Sequence, residues 1–177
     1  MGDDRVSNAL SIGANLAVLA GLIFVGIQVR DGRTAAEAQV ADGVTDGFLE
    51  LNLAAVADPG VACVVLVGLE SPGDLTVLEA ARFSALMRGL FNQYLRVHRA
   101  YRTGLLDQEY WEGAAAEAAW FMSTPGGKAY FQENWLPPSF LEAIAPIAGA
   151  TGGPKGLAVG MKPPASCEQV QQPVSAD

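Results

Sequence analysis

The sequence predicts an all-α protein with a single N-terminal transmembrane helix, a small helical bundle and a disordered C-terminal tail. Three observations carry this. Val6 to Val29 run twenty-four positions without a charged side chain. After Arg30, apolar residues recur three and four apart in segments punctuated by Pro, Gly and capping residues, with almost no strand signal. From Gly149 onward Gly, Pro, Ala, Gln and Ser dominate, without periodicity or aromatic residues. The implied divisions are residues 1–30 for the membrane helix and its flanks, 31–148 for a soluble helical domain, and 149–177 for the tail.

The opening run is long enough to cross a bilayer core, which takes roughly 20 apolar residues at about 1.5 Å each. A cleaved signal peptide would want a basic leader and a shorter apolar core, whereas MGDDR carries two acids against one arginine. A buried helix of a soluble domain rarely stays uncharged over this length. A retained transmembrane helix is the reading taken. Asn15 would be costly facing lipid, and its amide is satisfied most easily by a neighbouring helix. Ala9, Gly13, Ala17 and Gly21 recur at every fourth position, a small-residue stripe that lets two backbones approach closely. Together they predict helix packing, with a homodimer through this segment. Arg5 precedes the run while Arg30 and Arg33 follow it, which favours a cytoplasmic C-terminal domain by a margin of one residue. Cys63 and Cys167 lie far apart, so no structural disulfide is expected between them, in keeping with a reducing compartment.

The next helix spans about Thr34 to Ala57, with Val40, Val44, Phe48, Leu51 and Ala55 on one face. Gly32 to Thr34 is the only weak interruption before it. Val61 to Leu69 is β-branched enough to suggest a strand, yet Asp58-Pro59 reads as an N-cap with Pro at the first helical position, so a short helix is expected. Thr76 to Glu79 forms a capping-box pattern, opening a helix to about Arg102 that stops at Gly104. Its Phe83, Met87, Leu90, Tyr94, Val97 and Tyr101 make a heptad-like seam. Asp107 caps an alanine-rich helix to about Met122. Thr124-Pro125 opens a short helix reaching Trp135, and Pro137-Pro138 precedes a last one from Ser139 to Ala148. The tail cannot bury enough apolar surface to offset its ordering entropy, and Lys155 and Lys162 are too few for a lipid-binding cluster.

Charge narrows the function classes. The chain carries −8 overall, which argues against nucleic acid as a partner. Arg88, Arg96, Arg99 and Arg102 mark one side of the third soluble helix, and acids dominate from Leu105 to Ala145, so the two are expected to face each other. Arg96, Arg99 and Arg102 could bind an anion or phosphate headgroups, although a solvated or paired face is the default. Asp42, Asp46 and Glu50 line a helix face, but without a histidine nearby a solvated stripe outweighs a metal site. His98 is the only histidine, which removes histidine-rich zinc and di-iron sites. It is read as a structural residue within the bundle, and a base role with Glu109 or Glu112 is the minor reading. Pro125-Gly126-Gly127-Lys128 lacks the spacing and preceding strand of a phosphate loop. Its glycines are expected to let Trp120, Tyr130, Phe131 and Trp135 crowd together.

The segments LIFVGIQVRDGRTAAEAQ (22–39), ADPGVACVVLVGLESPGDLTVLEAARF (57–83), GLLDQEYWEG (104–113) and STPGGKAYFQENW (123–135) resemble an uncharacterised family of bacterial proteins. The resemblance spans Leu10 to Ile144 and implies one N-terminal membrane helix followed by a small all-helical domain. Asp31-Gly32 departs from the Asn-bearing turn usual there, which leaves the join between the first two helices open. With it, the expected location is the bacterial inner membrane, single-pass. The leading functional expectation is a non-enzymatic interaction or scaffold module. Its partners would be the lipid bilayer, a second copy and a further protein. No catalytic residue, cofactor or metal ligand is assigned. The alternative is a sensor that binds a small ligand among Tyr94, His98, Trp111 and Trp120.

Overall fold

A computed structural model of the chain describes residues 3–148 and Cys167, with side chains from residue 15 onward. Among the described residues there are six α-helices and no strand: α1 (Asp3–Ala57), α2 (Pro59–Glu70), α3 (Val77–Arg102), α4 (Gln108–Ser123), α5 (Pro125–Glu133) and α6 (Pro138–Ala148). A 3-10 turn at Pro72–Asp74 joins α2 to α3. The chain divides into two compact units, Met1–Val40 and Ala41–Asp177, and the division falls inside α1.

In the first unit, every residue from 15 to 35 is exposed. Gly32 does not end the helix. Thr34 Oγ1 donates to the Arg30 carbonyl at 3.2 Å, and Arg33 Nε donates to Glu37 Oε1 at 2.8 Å one turn on. Both bonds support the backbone where glycine supplies no side chain, so the turn left open at Asp31-Gly32 is helical.

The second unit holds the core. Each of its helices begins on the local signal that the sequence carries. Asp58 accepts from the Gly60 N–H at 2.8 Å, and Asp107 from the Tyr110 N–H at 2.7 Å. Thr124 accepts from the Gly127 N–H at 3.0 Å. Thr76 and Glu79 form the reciprocal capping box, and these hydrogen bonds hold the Glu79 carboxyl below its ordinary range. At the other end of α3, Gly104 takes φ 70° and the Leu105 N–H returns to the Ala100 carbonyl. That left-handed turn is open to glycine at little cost.

Val44, Val64, Tyr94, Val97 and Phe140 are the largest fully buried side chains. The α3 seam is buried at Phe83, Met87, Tyr94 and Val97, but Leu90 and Tyr101 are only half-buried, while Phe91, His98 and Ala100 are buried beside them. The buried stripe is wider than a heptad seam because α3 packs on α2, α4 and α5 rather than on one partner. On α4, the alanines at 114, 115, 118 and 119 are buried and give α6 a slim surface to lie against.

Three expectations change, and a fourth lies outside the described residues. Cys63 and Cys167 form a disulfide across 104 residues, with Cα atoms 5.6 Å apart. Separation along the chain and a Gly/Pro-rich context set no limit on the distance between two points of a folded chain. The rest of the tail, residues 149–166 and 168–177, lies outside the described residues, and so does the disorder expected of it. The basic α3 and the acidic region make no ion pair with one another: among the described residues the one ion pair is Arg33–Glu37. The four-ring aromatic cluster does not form either. Trp135 is 78% exposed, Trp120 rests edge-on against Phe121, and Phe131 packs against Phe91. Gly126 instead serves a backbone contact, since a Cβ there would run into the Gly68 carbonyl at the end of α2.

Candidate functional site

The end of α3, the start of α4 and the first turn of α6 meet around His98. Its imidazole lies 5.0 Å from the Trp111 ring and 5.5 Å from the Phe140 ring, with Tyr101 stacked on the far side of Trp111 at 5.8 Å. Trp111 and Phe140 are buried, and full burial of a side chain such as Phe140 is worth about 1.5–3 kcal/mol. Their packing fixes the orientation of the imidazole. Burial, and then the Arg102 guanidinium, hold the His98 pKa below its ordinary value.

Next to His98 a cavity of about 340 Å³ is lined by Leu95, His98, Arg99, Arg102, Thr103, Pro137 and Ser139. Among the described residues no carboxylate lines it. The Thr103 hydroxyl is occupied, bonding the Arg99 and Ala100 carbonyls at 3.1 and 3.0 Å. A second cavity of about 230 Å³ is mainly apolar, with Phe48, Phe83, Met87 and Phe121 in its wall and Glu117 as its one charged group. A third, of about 160 Å³, lies between Arg88 and Asn92 on α3 and Tyr130, Asn134 and Trp135.

Of the four side chains expected to form an aromatic pocket, only His98 lines one of these cavities. Tyr94 is fully buried among Phe48, Phe91 and Phe121, Trp111 is sealed between His98 and Tyr101, and Trp120 is half-buried against Phe121. The rings therefore act as core. The Tyr94 hydroxyl is buried without a hydrogen-bond partner, and burial followed by the nearby Glu117 carboxylate raises its pKa. Glu109 and Glu112 are exposed and neither bonds His98, so the structure does not assemble the acid–base pair of the minor reading. Asp42, Asp46 and Glu50 are exposed, and no group of three or more His, Cys, Asp or Glu side chains among the described residues could hold a metal ion.

Ser139 and Thr103 were not singled out in the sequence. Their signals are individually weak, a serine behind a Pro-Pro pair and a threonine at a helix end, and only the cavity that they share joins them to the arginines.

Of the small-residue stripe, Asn15, Ala17 and Gly21 are exposed, and a Cβ on Gly21 would meet nothing within 4 Å. The side chains at Ala9 and Gly13 lie outside the described residues. The described residues thus define an all-helical protein with one N-terminal helix long and apolar enough, by length and composition, to cross a membrane. No protein-family model, curated protein or solved structure matches the chain.

Proposed function

We propose that the chain is a single-pass membrane protein whose helical unit serves protein interaction, beginning with self-association through α1. The observation that carries this is the exposure of the apolar run. Nine large apolar side chains (Leu16, Val18, Leu19, Leu22, Ile23, Phe24, Val25, Ile27 and Val29) stand 52–67% exposed on one helix, and no part of that window is buried. A soluble core helix would be covered. A cleaved signal sequence would be cut inside α1, which continues to Ala57. Lipid is the solvent that suits this surface.

Orientation draws on two observations that disagree. Arg30 and Arg33 outnumber Arg5 and favour a cytoplasmic helical unit, while the Cys63–Cys167 bridge favours an oxidising compartment. A margin of one arginine is the weaker of the two. The proposal therefore sets the helical unit on the oxidising side of the membrane.

Self-association is supported by the stripe at Ala9, Gly13, Ala17 and Gly21, and by Leu49, Leu53 and Val56 further along α1. These three are spaced by four and three residues and are 51–81% exposed. Sedimentation equilibrium of the full chain in density-matched detergent tests the idea. The wild type should sediment as a dimer, and Gly13→Ile with Gly21→Ile should shift it toward monomer. An unchanged mass would remove self-association from the proposal.

A further inference from the structure

We propose that the cavity between the end of α3 and the start of α6 binds the phosphoryl group of a small phosphorylated molecule. Arg99, Arg102, His98 and Ser139 all line it, and each can donate hydrogen bonds. Among the described residues neither arginine has an ion-pair partner, and no carboxylate lines the cavity to neutralise them. Arginine in the last turn of α3 complements the helix dipole, which accounts for the presence of the charge there. It does not account for His98, which is only 7% exposed and also lines this cavity. A neutral imidazole carries one N–H that can donate to an anion at such a place.

Ser139 strengthens the case. It stands in the first turn of α6, where the Phe140 and Leu141 N–H groups both return to the Pro137 carbonyl. The Ser139 N–H has no such acceptor, and Ser139 lines the cavity at the end of the helix that favours anions. Thr103 meanwhile ties up carbonyl oxygens at the end of α3 that would repel an anion. Donors on more than two residues around one cavity suit the three oxygens of a phosphoryl group better than the two of a carboxylate. The volume, about 340 Å³, is near the low end for small-molecule sites, and Leu95 and Pro137 supply apolar wall for the rest of the ligand. The inference stands whether or not α1 crosses a bilayer.

Calorimetric titration of the full chain in detergent tests it, with inorganic phosphate, glycerol 3-phosphate and acetate compared at constant ionic strength. Phosphate and glycerol 3-phosphate should bind saturably, and Arg99→Gln with Arg102→Gln should weaken both by about tenfold or more. Both arginines are exposed, so unchanged helicity in circular dichroism is expected of the variant. Ser139→Ala should weaken binding by a smaller factor. Short-chain phosphatidic acid in mixed micelles distinguishes the source: competition with glycerol 3-phosphate marks a lipid headgroup, and its absence marks a soluble ester. Lack of saturable phosphate binding, equal binding by the double variant, or acetate binding as tightly as phosphate would overturn the assignment.

Discussion

Residues 15–30 of α1 and residues 59–70 of α2 are both rich in Val, Leu and Gly, yet they meet opposite surroundings. In α1 the large apolar side chains stand more than half exposed. In α2, Cys63, Val64, Val67 and Leu69 are no more than 5% exposed. The difference is one of covering, since α2 packs on α3 and α5 and carries a buried glycine, Gly68, against the Phe83 ring. Apolar content alone does not say which solvent a helix is built for. Length and packing partners do: 12 residues are too short to span a bilayer but enough to cover one face of a core.

The largest effect expected from this contrast is on location. Leu19→Asp with Ile23→Asp adds about 2.5–3.5 kcal/mol per charge near the middle of a membrane helix. The variant should therefore leave the membrane pellet after carbonate washing, while the wild type stays in it. A variant that still pellets would mean that the exposed run of α1 is not what meets lipid.

A smaller effect concerns the compartment and stability of the covered region. Cys63→Ser opens a bridge that closes 104 residues and should reduce the stability of the helical unit by about 2–4 kcal/mol in denaturant unfolding. In unreduced cells, Cys63 and Cys167 should resist a maleimide until reductant is added. Thiols that label at once would return the helical unit to the cytoplasmic side.

The smallest expected effect is a pH dependence in the same unit. The folded pKa of His98 lies below its ordinary 6.5, so below that pH the unfolded chain takes up more protons than the folded one. The stability contribution is complete above about 6.5 and is lost as pH falls toward the folded value. Glu79, also lowered, acts only near and below its ordinary 4.5, which separates the two windows. Unfolding midpoints between pH 7.5 and 5.5 in phosphate-free buffer should therefore drop for the wild type and vary less for His98→Gln. Equal slopes would show that another group sets the dependence. No comparable window exists in residues 15–29, which carry no ionisable side chain.

Much of the fold was legible because its signals are local. Asp58-Pro59, the Thr76–Glu79 box, Asp107, Thr124-Pro125 and Gly104 each act through hydrogen bonds or backbone angles within a few residues. The candidate site was less legible. His98 and the arginines could be marked as a basic helix end, but not the cavity they share with Ser139, and the aromatic side chains singled out beside His98 proved to be packing.

The sequence by itself determined the helical segments, the caps of α2 to α5, and one apolar run of membrane length, because propensity, capping and periodicity are properties of neighbouring residues. Only the tertiary structure decided that Cys63 meets Cys167, that Gly126 must leave room for the Gly68 carbonyl, and that two helix ends enclose a basic cavity. Those contacts join residues tens of positions apart. Their distances follow from how the helices cross, a quantity that no local pattern contains.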